Sequence, residues 1–253
     1  MRGIFLKNEK ELGLMREAGR IVSRILDAIG EQVRPGVPTM LFEETAVRMC
    51  AEYKVKPAFM GYLGFPYAIC CSVNEVIVHG FPSKDRILQE GDIVSVDMGV
   101  IYQGFHGDSA RTFAVGKVSE ETSRLMRVTE DSLYKGIAQA LNGNNLYDVS
   151  GAVQQCVEDA GFGIVRRFVG HGIGVRLHEK PEIPNFVPKG LSGITLKPGM
   201  CLAIEPMVTV GDYDVEILED RWTAVTKDRK YAAHYEHTIA VTANGPVILT
   251  RSE

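Results

Sequence analysis

The chain has 253 residues, of which 45% are hydrophobic and 24% charged, with a formal net charge of −4 at pH 7. This excludes a disordered tract, a collagen-like repeat and a coiled coil, and leaves enough apolar side chains for a sizeable core. No apolar run approaches the roughly 18–20 residues that span a bilayer, Ile4–Leu6 is too short for a signal-peptide core, and the scattered Lys and Arg disfavour a nucleic-acid face.

In chain order, Asn8 followed by Glu11 reads as a capping box. Leu12, Met15, Gly19, Val22, Ile25, Leu26 and Ile29 then recur at helical spacing until Gly30. After the turn Arg34–Pro38, Thr39 is expected to cap a second helix burying Phe42, Ala46, Met49 and Tyr53. Strand patterns follow at residues 69–72, 75–78, 93–97 and 111–115. The layout then repeats. Ser119 caps a helix carrying Met126, Leu133, Ile137 and Leu141, and a turn at 142–145 leads to a helix with Leu146, Val149, Val153, Cys156 and Ala160. Strand patterns return at 164–169, 200–206, 222–226 and 236–242.

The halves also echo each other in detail. Leu88–Asp97 and Leu196–Glu205 are both L-x-x-G strands ending on a carboxylate, each preceded by an HxxP, at His79 and at His178. We expect an α+β fold in one domain, 1–253, made of duplicated helix–helix–sheet halves (about 1–118 and 119–253) around a pseudo-twofold axis. The five cysteines (Cys50, Cys70, Cys71, Cys156 and Cys201) contain no CxxC, the usage of a reduced, cytoplasmic compartment.

The informative anomaly is acid within apolar strands: Asp97, Glu205 and Glu236, with Asp108 brought opposite Asp97 by a hairpin through Gly104. Buried carboxylates are costly unless paired, hydrogen-bonded or metal-bound. These strands supply no basic partner, Arg111 being the nearest candidate. His171, in Gly170–Gly174, adds an imidazole on a glycine-lined segment. Four carboxylates and one His form an oxygen-rich set suited to Mn, Fe, Co or Zn. Two divalent ions would neutralise the four negative charges and bring a shared water to a pKa of roughly 7, making hydrolysis the natural reaction. His79 and His178, one from each repeat, would flank the site as proton donors or carbonyl holders.

These residues resemble the methionine aminopeptidases of type I, in their short bacterial form. The likeness runs through Asn74–Pro82, Gly91–Gly99, Gly104–Phe113, Val169–Pro181, Leu196–Val208 and Tyr235–Thr242. The resemblance implies the pita-bread fold, with a curved, mainly antiparallel sheet shared by the halves. It implies removal of the initiator methionine from nascent polypeptides by metal-bridged hydroxide, with preference for a small second residue. It also implies Asp97, Asp108, His171, Glu205 and Glu236 as ligands of two divalent ions, Asp108 and Glu236 bridging. His178 would hydrogen-bond the scissile amide, His79 assist the leaving nitrogen, and Glu205 relay a proton. Phe59, Tyr62, Phe65, Cys70, Leu177 and Trp222 would wall the methionine pocket, Phe59 and Leu177 departing from the Cys and Phe common in the family.

The rivals are an Xaa-Pro peptidase of the same fold, a metal-free binding homologue, and a ribosome-associated factor. Arg166-Arg167 and Lys227–Lys230 are too small to favour the last; a transient contact with the ribosomal exit, helped by these clusters, is a further expectation. No nucleic-acid substrate or membrane is expected, and a monomer is the default state. His106, His234 and His237 read as structural or surface residues. The run Gly170-x-Gly-x-Gly174 lacks the strand–loop–helix context and lysine of a phosphate loop.

Overall fold

Helix α1 (Glu9–Gly30) begins on a reciprocal capping box: the Glu11 N–H donates to the Asn8 side chain (3.1 Å) and the Asn8 N–H to the Glu11 carboxylate (2.8 Å). The computed structural model describes residues 3–252; Met1, Arg2 and Glu253, included in the expected domain, lie outside the described residues. Val22, Ile25, Leu26 and Ile29 are fully buried against α2 (Met40–Glu52) and the strands below, and Met15 is fully buried in the cluster of Phe59, Phe65 and Cys70. Each such side chain contributes about 1.5–3 kcal/mol of burial.

The first half continues with β1 (Lys56–Pro57), β2 (Ile69–Val73), β3 (Val76–Val78), β4 (Ile93–Tyr102) and β5 (Phe105–Ala114). The second half repeats a helix pair, α3 (Glu120–Ala138) and α4 (Leu146–Asp159), and then turns to short strands. These are β6 (Gly163–Ile164), β7 (Gly170–Gly172), β8 (Glu179–Ile183), β9 (Cys201–Ile204) and β10 (Met207–Thr209). The chain ends with β11 (Val215–Ile217), β12 (Ala224–Thr226), β13 (Ala232–His234), β14 (His237–Thr242) and β15 (Gly245–Ile248).

Every described pairing is antiparallel. In the first half β4 lies between β2 and β5; in the second β9 lies between β7 and β14, with β8 and β15 outside. Two smaller sheets, β6–β10–β13 and β3–β12–β11, complete the molecule, and the β3–β12 pair joins the halves. The β5 edge meets the second half along a seam. The Glu236 N–H donates to Ala110 O (2.9 Å), the Ser109 hydroxyl to Glu236 O (2.6 Å), and the Asp108 N–H to the Thr238 hydroxyl (3.1 Å), which donates back to Asp108 O (2.8 Å).

Several local expectations change. Thr39 does not cap α2; its backbone is already helical, and its hydroxyl donates to Ser83 O (3.1 Å) and accepts from the Ser83 N–H (2.9 Å). Met49 and Tyr53 are only partly buried. Helix α3 is capped by Ser119 but ends at Ala138, leaving Leu141 exposed beyond it. The capping of α4 falls to Asn145, again with a reciprocal partner, Asp148. The expected strand 222–226 pairs only from Ala224 onward, so Trp222 lies in a loop. Of the expected strand 164–169, only Ile164 belongs to a strand. Arg111 turns away from the acids, pairing with Asp27 and donating to the Ser23 hydroxyl (2.6 Å).

Candidate metal and peptidase site

The hairpin between β4 and β5 turns at Gln103-Gly104, both at positive φ (47° and 85°). Its register sets Asp97 opposite Ala110 and Gly99 opposite Asp108. The two acids are therefore one pleat apart on the same face, diagonal rather than directly opposed. On the other side of β4, Asp97 faces Cys70.

His171 comes from β7, between two glycines that tolerate no side chain. A Cβ at Gly170 would lie 2.4 Å from Ala203 O, and one at Gly172 would lie 2.2 Å from Lys180 O. The glycine run thus serves close strand packing, and no helix follows it, in keeping with its rejection as a phosphate loop. Glu205 directly follows β9, and Glu236 directly precedes β14.

Asp108, His171 and Glu236 are 3%, 7% and 2% exposed, and one ligand atom from each lies within 4.8 Å of the others, a group able to hold a metal ion. Glu205 Oε1 is 3.6 Å from His171 Nε2, and Asp108 Oδ2 is 3.9 Å from it. The His171 Nδ1 lies 2.9 Å from Gly172 O. That carbonyl can only accept, so the ring proton sits on Nδ1 and the Nε2 lone pair points to the acids.

Asp97 Oδ1, Asp108 Oδ1 and Glu236 Oε1 are buried with no hydrogen-bond partner. Burial pushes Asp108 up to about 7. Burial and the neighbouring carboxylates raise Asp97, Glu205 and Glu236 well above their usual range. Burial, then the adjacent His178, lowers His171 to about 3, keeping it neutral. Partnerless oxygens, crowded acids and a neutral imidazole lone pair are the donor set a divalent cation requires. The residues fit such an ion.

All of the expected site residues line one cavity of about 240 Å³. Asp97, Asp108, His171, Glu205 and Glu236 form one part of it. Phe59, Tyr62, Phe65, Cys70, Leu177 and Trp222 form another, with Phe65 edge-on to Trp222 (5.1 Å between centroids). Cys70 is buried and its thiol pKa is raised by burial, as suits an inert wall.

His79 and His178 stand on the same cavity but are held differently. His79 adopts a left-handed backbone (φ 60°), and its ring lies edge-on to Phe168 and Trp222 at 5.2 and 6.1 Å. Burial lowers it to about 4. His178 is exposed at the mouth, its Nδ1 2.8 Å from the Tyr62 hydroxyl.

Val78, Phe168, Val169 and Leu63 also line the cavity and were not expected. Val78 and Val169 adjoin His79 and Gly170 in sequence, a usable signal; Phe168 and Leu63 gave none. Of the two readings open for His234, structural or surface, its burial fits the structural one. Its Nε2 has no hydrogen-bond partner and lies 3.7 Å from Glu205 Oε2. His106 and His237 are buried as well, hydrogen-bonded to Gly174 O and to the Thr250 hydroxyl respectively.

The model of metallopeptidase family M24 matches residues 13–243, and the chain belongs to that family. Within it, the chain is 51% identical over 247 residues to a methionine aminopeptidase of Clostridium perfringens, covering 98% of each. It superposes on the crystal structure of the Thermotoga maritima methionine aminopeptidase with a TM-score of 0.96 and 46% identity, covering 98% of this chain and 99% of that one. These likenesses bear out the family resemblance, the pita-bread fold and a metallo-exopeptidase activity using divalent metal. An Xaa-Pro dipeptidase of Bacillus anthracis shares the fold alone, at 20% identity and a TM-score of 0.77 over 98% of this chain and 62% of that one. The Xaa-Pro alternative is not favoured.

Proposed function

We propose that this chain is a metal-dependent aminopeptidase that removes the initiator methionine from nascent polypeptides, with preference for a small second residue. The observation that carries the reading is one cavity joining a partnerless acid cluster to an aromatic wall of side-chain size. Asp97, Asp108, His171, Glu205 and Glu236 would hold two divalent ions, whose four positive charges match the four carboxylates. Cobalt, manganese, iron and zinc all suit this donor set, and availability selects among them. When bound, such a pair supplies Lewis acidity and a water that ionises near neutral pH.

The chain's own groups do the rest. Phe59, Tyr62, Phe65, Cys70, Leu177 and Trp222 enclose the methionine side chain, whose polarisable sulfur favours aromatic edges. The acid cluster draws the free α-amine, so only an amino-terminal residue fits. Glu205 takes up the proton of the attacking water, His178 holds the scissile carbonyl by a hydrogen bond, and His79 serves the departing nitrogen. Residues 1–253 act as one catalytic unit with halves at about 1–118 and 119–253.

The protein works as a cytoplasmic monomer, without a nucleic-acid or membrane partner, and docks transiently at the ribosomal exit through Arg166-Arg167 and Lys227–Lys230. Part of that charge is already engaged: Lys227 pairs with Asp214 (3.8 Å), Arg229 with Glu216 (2.7 Å), and Arg166 stacks on Tyr213. No helix among the described residues is long and apolar enough to cross a membrane.

The test is cleavage of Met-Ala-Ser against Ala-Pro-Ala by protein reconstituted with each ion, with bound metal measured by elemental analysis. Met-Ala-Ser should be the substrate, and His171→Ala or Asp108→Ala should abolish its turnover. Full activity in either variant, or preference for Ala-Pro-Ala, would overturn the assignment.

A further inference from the structure

Two imidazoles stand close together on the cavity wall, the buried ring of His171 and the exposed ring of His178 lying 4.3 Å apart between centroids. Their Nδ1 atoms meet opposite kinds of partner. His171 Nδ1 faces a carbonyl, Gly172 O, at 2.9 Å. A carbonyl forces the proton onto Nδ1 and frees Nε2 as a lone pair, the form a metal ligand needs. His178 Nδ1 faces a hydroxyl, Tyr62 Oη, at 2.8 Å. A phenol O–H is a good donor and a poor acceptor, whereas an imidazole lone pair is a good acceptor. The favoured arrangement is therefore Tyr62 O–H donating to Nδ1, which puts the ring proton of neutral His178 on Nε2.

With Nδ1 occupied, Nε2 is the only ring nitrogen left for a substrate. As an N–H it attracts a carbonyl oxygen; as a lone pair it would repel one. We infer that Tyr62 is a positioning residue that sets His178 in its Nε2–H tautomer, so that His178 can donate to the scissile carbonyl.

The backbone around Tyr62 fits that task. The Tyr62 N–H donates to Phe59 O (2.8 Å), and Tyr62 O accepts from the Phe65 N–H (2.9 Å). Between them Gly61, Leu63 and Gly64 all take positive φ (83°, 50° and 89°), a tight knuckle that aims the ring across the mouth. The hydrogen bond thus runs from the first half of the molecule to the second. Tyr62 also lines the cavity, so Tyr62→Phe removes the hydroxyl and keeps the ring.

This inference rests on the peptidase reading for its chemistry, but its central claim can be read without turnover. Nitrogen-15 spectra of histidine-labelled protein, with and without added zinc, distinguish the two tautomers of His178. The unaltered protein should show the Nε2–H form, and Tyr62→Phe should populate both. On Met-Ala-Ser, Tyr62→Phe should lower kcat about 3- to 10-fold, the scale of one hydrogen bond, with KM changed by less than about 2-fold. Combined with His178→Ala it should cost nothing further. An Nδ1–H ring in the unaltered protein, an unshifted tautomer in Tyr62→Phe, or a loss that adds in full to His178→Ala would overturn the inference. Inactivity of the unaltered protein on Met-Ala-Ser would instead sink the peptidase reading, and the spectra would still decide the tautomer.

Discussion

The two halves contribute to the cavity by different routes. The first half delivers Asp97 and Asp108 from one hairpin, eleven residues apart, in a register fixed by a two-residue turn. The second delivers His171 from the middle of β7, Glu205 from just after β9 and Glu236 from just before β14, brought together by the β7–β9–β14 ladder. Their histidines differ as well: His79 is wedged among aromatic rings on a left-handed backbone, while His178 sits in the open on a tyrosine hydrogen bond. The halves thus bring acids to one cavity through different strand geometry, and each imidazole has its own support.

The sharpest way to probe that difference is to remove the histidines singly. His178→Ala should lower kcat by about 100-fold or more, the usual range for a proton-handling side chain, while elemental analysis finds the ions retained. Loss of the ions would make His178 a ligand and erase its parallel with His79.

A second experiment bears on the acids. Burial raises Asp108 from 3.8 to about 7 in the folded chain. A raised acid favours folding fully below its unfolded value, and that contribution is lost as the pH rises through 7. In chelator-treated protein, Asp108→Asn should therefore be the more stable form at about pH 8, by about 1.4 kcal/mol or more, the equivalent of one pKa unit. The gap should shrink toward about pH 4. The buried neutral histidines act in the opposite direction, but they are common to both proteins and cancel in the difference. Equal thermal unfolding at the higher pH would mean that some group already meets the Asp108 charge.

The smallest expected effect concerns the His79 backbone. A left-handed conformation costs most residues roughly 1–2 kcal/mol, and Asn tolerates it better. His79→Asn should be more stable than His79→Ala by up to about 1 kcal/mol in urea unfolding. Equal stabilities would show that the backbone relaxes once the imidazole is gone.

What could be read from the sequence was what local chemistry decides. The Asn8–Glu11 box, the Ser119 cap and the β4–β5 hairpin each depend on residues a few positions apart, and all three form. Acids in apolar strands pointed to the cavity because their burial demands a partner wherever the strands run. Thr39 misled because the hydroxyl that should cap α2 is taken by Ser83, 44 residues away. Leu141 kept the helical period but fell beyond the last turn of α3. Phe168 gave no signal, and His234 none of its nearness to the acids, because one meets His79 and the other Glu205 only through contacts distant in sequence.

The seam between the halves has a mechanical consequence. Its bonds are made by Asp108, Ser109 and Ala110 on one side and Glu236 and Thr238 on the other, so each side carries one of the acids. A hinge motion that parted the halves would tear the acids from one another, so the frame behind the cavity behaves as a fixed anvil. Entry and exit of peptides fall instead to the rim, where Leu63 and His178 face solvent. Peptide exchange should accordingly track the freedom of those rim side chains, not any large-scale breathing of the scaffold.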